Sequence, residues 1–108
     1  MEMLIDFPGG VRVDAHFGGF TVPTDQHPGG IAPSPFTIFL SSLGTCAGFY
    51  VLSYCQKHNL PTEGIQLIER IEANPVNGMV ELIEIEVLLP PGFPEKYHDA
   101  LIRSAELC

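Results

Sequence analysis

Three cysteines, Cys46, Cys55 and Cys108, are the residues best suited to chemistry in this chain. Cys46 and Cys55 lie nine residues apart in a stretch that reads as one helix. They are therefore roughly 13.5 Å apart along its axis and on opposite faces. A disulfide needs Cα atoms within about 7 Å, so these two cannot pair, and any thiol partner of Cys46 within the chain is Cys108. The plainer alternative is that each cysteine is a small buried apolar side chain. Around Cys46 the run Leu43-Gly44-Thr45-Cys46-Ala47-Gly48 leaves room for a ligand, or for close helix packing. The same helix face carries Phe39, Ser42, Leu43, Phe49, Tyr50 and Ser53, an apolar wall with a few hydroxyls. Phe39, Leu43, Phe49 and Tyr50 are the candidate pocket for an apolar or aromatic substrate. A reactive thiol needs a lowered pKa. The helix N-terminus is about eleven residues away, too far for its dipole to act. The cation must come from Arg12, Arg70, Arg103, Lys57 or Lys96.

Other constellations are weak. His16, His27, His58 and His98 lack metal-ligand spacing, so no metal site is expected and the histidines read as surface residues. A Cys46–His16 pairing has no motif behind it. GxSxG, Walker A and GxGxxG patterns are absent, and no cofactor is expected. Glu81, Glu84 and Glu86 read as a solvated strand face.

The elements that position these residues are short. Segments 3–7, 11–17 and 20–23 read as strands divided by Pro8-Gly9-Gly10 and Gly18-Gly19. Residues 24–33, with Pro28-Gly29-Gly30, form a loop. Ser34-Pro35 opens the central helix as N-cap and first turn, and the helix runs to about Asn59, before Leu60-Pro61. Strands over 65–73 and 79–89 make a hairpin around Asn74-Pro75-Val76-Asn77-Gly78. In the second of these, Ile83, Ile85, Val87 and Leu89 face inward, and Glu84 and Glu86 outward. A last helix starts near Pro94-Glu95, with Tyr97, Leu101, Ala105 and Cys108 on one face. The fold class is α+β, and 108 residues give one domain.

Composition narrows the partners. A formal charge of −8 repels phosphate backbones and anionic lipid, which disfavours nucleic-acid and membrane-surface roles. No basic segment followed by an apolar run opens the chain, so no signal peptide is expected and the cytoplasm is the default compartment. Residues 35–55 carry no charge and are long enough to span a bilayer. Their five serine and threonine side chains and the lack of a flanking basic cluster argue instead for a helix buried on all sides. A chain this small cannot wrap such a helix, so a homodimer is expected.

The run Ala32-Pro33-Ser34-Pro35-Phe36-Thr37-Ile38-Phe39-Leu40-Ser41-Ser42-Leu43-Gly44-Thr45-Cys46-Ala47-Gly48, followed by Leu60-Pro61-Thr62-Glu63-Gly64, resembles the OsmC/Ohr family. Ser104-Ala105-Glu106-Leu107-Cys108 is similar to the family segment that carries a second cysteine. The resemblance implies strands packed around a buried central helix and an intertwined homodimer. It implies a thiol peroxidase for organic hydroperoxides, with Cys46 peroxidatic, Cys108 resolving through a disulfide, and an external dithiol as reductant. Arg12 is the only N-terminal match for the family arginine. The family glutamate after the helix-opening proline is replaced by Phe36 and Thr37. The family chain also continues beyond its second cysteine through the end of that helix and a final strand, where this sequence stops. The competing expectation is a non-catalytic dimeric binding protein for a small apolar ligand.

Overall fold

A computed structural model describes residues 1–26 and 30–108, so the Pro28-Gly29 turn signal and His27 lie outside the described residues. The described chain is α+β, with a long helix and antiparallel strands. It forms two compact units, Met1–Ser41 and Ser42–Cys108.

In the first unit, strands β1 (Leu4–Gly9), β2 (Arg12–Phe17) and β3 (Phe20–Asp25) make an antiparallel sheet in that order. The glycine turns foreseen from sequence close both hairpins, with Gly10 and Gly18 at positive φ. β3 runs to Asp25 although Pro23 has no N–H to donate. It is an edge strand, and Pro23 stands opposite Asp14 without breaking the register.

Helix α1 (Pro35–Lys57) begins in the first unit and continues through the second. Ser34 caps it, its Oγ accepting the Thr37 N–H at 3.2 Å. The helix ends two residues earlier than the sequence indicated. Asn59 takes φ 55°, and the Leu60 N–H returns to the Cys55 carbonyl at 2.8 Å, which closes the C-terminus. Leu40, Ala47, Val51 and Cys55 are buried along one stripe. Within the chain this is the covered face; Phe36, Phe39, Phe49 and Tyr50 are exposed. By length and composition α1 could cross a membrane, yet only 17% of its apolar window is buried here. Burial on all sides is thus not met by this chain alone.

In the second unit, β4 (Gln66–Ala73) and β5 (Val80–Leu88) pair antiparallel. Asn74 organises the connection, its side-chain carbonyl accepting the N–H groups of Val76 and Asn77, and Gly78 takes φ 73°. Outward residues behave as the alternation requires, with Arg70 bound to Glu86 at 2.8 Å. After a 3-10 turn at Glu95–Tyr97 comes α2 (His98–Ala105). The last helix is shorter than the pattern suggested and stops before Cys108. Its end tightens into three-residue bonds, Glu106 N–H to Arg103 and Leu107 N–H to Ser104. The core joins Val51, Cys55 and Leu101, surrounded by Tyr54, Leu60, Ile65, Leu67, Val87, Leu89, Phe93 and Ala105.

Candidate redox site

Cys46 is half-buried in the fourth turn of α1, and Cys108 is exposed three residues beyond α2. Their sulfurs are bonded, with Cα atoms 5.9 Å apart. The apolar pattern of α2 accounts for this. Leu101 is fully buried against Val51 and Cys55, and Ser104 is buried one turn later. Docking that face brings the end of the chain back to α1, where Cys108 Sγ lies 4.0 Å from the Leu43 carbonyl oxygen. Cys108 is not buried as the helical face implied, because the helix ends before it.

Cys55 is the free cysteine among the described residues and is completely buried. Desolvation pushes its thiol pKa up, which disfavours the thiolate that chemistry would need. Its separation from Cys46 follows from helical phasing.

The other expected site residues are placed differently. Arg12 lies in the first unit, its Nη2 donating to both oxygens of the buried Asp14 at 3.0 and 2.8 Å. Its Nε is buried without an acceptor among the described residues. Leu43 is half-buried, but Phe39 and Phe49 are 55% and 68% exposed, and Tyr50 is exposed too. Of these, Phe49 borders a shallow apolar groove of about 240 Å³ with Thr45, Gly48 and Leu52.

Two arrangements escaped the sequence reading. Antiparallel pairing gathers Asp6, Asp14 and His16, with ligand-capable atoms within 4.8 Å of one another. Those donors are already engaged: Asp14 with Arg12, and His16 with Asp6 and Thr21 at 3.0 Å each. Spacing along the chain could not reveal a cluster made by strand register. Nor are the other described histidines simply surface groups. His58 packs half-buried between Tyr54 and Tyr97, and His98 reaches the Phe93 carbonyl at 3.2 Å. The second arrangement is Glu69, on the inner face of β4. Its Oε1 rests over Gly44 of α1, while its buried Oε2 has no hydrogen-bond partner among the described residues.

Residues 27–108, which hold both bonded cysteines, match the sequence profile of OsmC-like proteins. The chain belongs to the OsmC-like family. Among solved structures it is similar to a Psychrobacter arcticus protein named for an osmotic stress induced and detoxification response. That likeness has 18% identity and a TM-score of 0.79, covering 98% of this chain and 82% of the other. A second solved structure, from structural genomics, gives 18% identity and a TM-score of 0.73 over 99% of this chain and 79% of its own. At such identity these two establish the OsmC-like fold and no more. None of the curated proteins gives a significant match.

Proposed function

We propose that this OsmC-like chain is a thiol peroxidase acting on organic hydroperoxides, with Cys46 as the attacking thiolate and Cys108 as the resolving thiol. The observation that carries this is the Cys46–Cys108 bond, made across 62 residues while Cys55 stays reduced and buried. In the cycle, Cys46 Sγ attacks the distal peroxide oxygen, the O–O bond breaks, and the alcohol leaves after taking a proton. Cys108 then displaces hydroxide from the Cys46 sulfenic acid, giving water and the disulfide. An external dithiol restores both thiols. A homodimer formed through the exposed faces of α1 would complete the apolar pocket of Phe39, Leu43, Phe49 and Tyr50. We place the protein in the cytoplasm, where reducing conditions keep the pair cycling.

Stoichiometric cumene hydroperoxide should give a Cys46–Cys108 crosslink in the reduced protein, read by mass spectrometry of unreduced peptides. Cys108→Ser should trap sulfenic acid on Cys46, and Cys46→Ser should leave Cys108 unmodified. A folded, reduced protein whose Cys46 survives hours of hydroperoxide rules the peroxidase out.

One observation favours a second reading, a dimeric binding protein for a small apolar ligand. Phe36 and Thr37 stand where the family places a carboxylate to hold its arginine, and Arg12 is bound to Asp14. Ligand binding that persists in Cys46→Ser, without peroxide turnover in the parent, would select it.

A further inference from the structure

We propose that Cys108 is the sulfur an external dithiol attacks, so that reduction passes through a mixed disulfide on Cys108 and releases Cys46 first. The two bonded sulfurs are not equivalent to an incoming thiolate. Cys46 is half-buried within α1, next to the fully covered Ala47. Cys108 stands beyond α2, where Glu106, Leu107 and Cys108 are all exposed, Leu107 by 69%. These are the exposures of the bonded pair, which is the form that a reductant meets.

In thiol–disulfide exchange a thiolate attacks one sulfur while the other leaves, and both access and leaving-group strength choose the sulfur attacked. Access selects Cys108. The peroxidase reading also requires Cys46 to ionise readily, and the sulfur that ionises more readily is the better leaving group. Attack on Cys108 expels Cys46, so both considerations point the same way. The second of them rests on the peroxidase reading, and the first does not.

The packing then decides what kind of thiol can finish the reduction. Cys46 is carried by the interior of a long helix, and the buried side chains Leu101 and Ser104 hold α2 in place. Opening the bond therefore leaves the two cysteines close together, and Cys46 re-attacks the mixed disulfide at a high effective concentration. A monothiol loses that competition unless it is in large excess, whereas a dithiol wins it by closing on itself.

The steps balance with the dithiol as the two-electron donor. One of its thiolates bonds to Cys108 Sγ as the bond to Cys46 breaks, and Cys46 leaves as a thiolate. Its second thiolate attacks the reductant sulfur held on Cys108, which forms the reductant's own disulfide. Cys108 departs as a thiolate and takes a proton from water.

Diamide closes the Cys46–Cys108 bond without peroxide, so the test does not depend on peroxidase activity. Mercaptoethanol, a small uncharged monothiol, is added to the oxidised parent protein and the reaction is stopped with acid early in its course. Free thiols are alkylated with N-ethylmaleimide, and the peptides are read by mass spectrometry. Mercaptoethanol should be found on Cys108 and maleimide on Cys46, in about tenfold or greater excess over the reverse arrangement. An even split, or mercaptoethanol first on Cys46, overturns the assignment. So does failure of diamide to join the two cysteines in folded protein. A Cys46 that resists hydroperoxide in the same preparation overturns the peroxidase reading alone, and early capture on Cys108 would then still support the assignment through access.

Discussion

Leu101 packs against Cys55 in the core of the second unit, and that contact is what brings Cys108 to Cys46. α2 is eight residues long, too short to hold itself together in water. Its place depends on the buried side chains Leu101 and Ser104. Leu101→Ala should cost about 2–5 kcal/mol, as for other large-to-small core changes. Measured under reducing conditions by denaturant titration, that loss should come with slower closure of the Cys46–Cys108 bond after oxidation. Closure at the parental rate in a folded L101A protein would mean that the chain end finds Cys46 without the docked helix.

Cys55 should be silent chemically and matter to stability. Cys55→Ala should keep peroxide consumption and lower stability by roughly 1 kcal/mol. The raised thiol pKa adds a pH dependence. Between the ordinary value of 9.0 and the higher folded value, the unfolded chain releases a proton that the folded chain retains. Stability from this group is therefore complete below pH 9.0 and lost as pH rises past it. Alkaline unfolding curves should be flatter for C55A than for the parent above that pH. Equal slopes would show that Cys55 ionises as readily folded as unfolded.

Gly44→Ala tests the contact between Glu69 and α1. At an open helix interior this change stabilises by up to about 1 kcal/mol, because alanine restricts the unfolded chain and glycine does not. Here the new methyl meets the end of the flexible Glu69 side chain, which must move aside, so the gain in thermal melts should be smaller than at an open site. In the Glu69→Ala background the same substitution should stabilise the protein more, giving a coupling between adjacent residues of about half a kcal/mol, at the low end for contacting pairs. Additive effects would place the carboxylate away from Gly44.

The elements were legible because their signals are local. Ser34-Pro35 marks the start of α1, and Asn74 to Gly78 marks the hairpin turn, and both motifs make the bonds their side chains suggest. Periodicity also showed that Cys46 and Cys55 face apart. Harder to read was whatever depends on register or on a neighbouring element. Asp6 meets His16 only because β1 and β2 pair with Asp6 opposite Asp14. Glu69 looks like any charged residue of an alternating strand until the inner-face positions of Leu67 and Ile71 are counted on either side of it. Cys108 fits a helical face by spacing, but no signal in Ala105-Glu106-Leu107 announced that the helix would stop first.

The last prediction concerns the uncovered side of α1. Phe36, Phe39, Phe49 and Tyr50 are exposed on it, and Phe36 and Phe39 stack on each other with centroids 6.1 Å apart. Large aromatic side chains left exposed along one helix mark an interaction face. A second copy of the chain presents the same apolar helix, so a two-fold arrangement covers both at once. Sedimentation and light scattering should report a dimer without detergent. Phe49→Glu places a charge where another helix would pack, and should shift the protein toward monomer and lower its melting temperature. The same substitution on a face open to water would change stability by no more than about 0.5 kcal/mol. A monodisperse parental monomer would remove the dimer, and extraction only by detergent would turn α1 back toward the membrane.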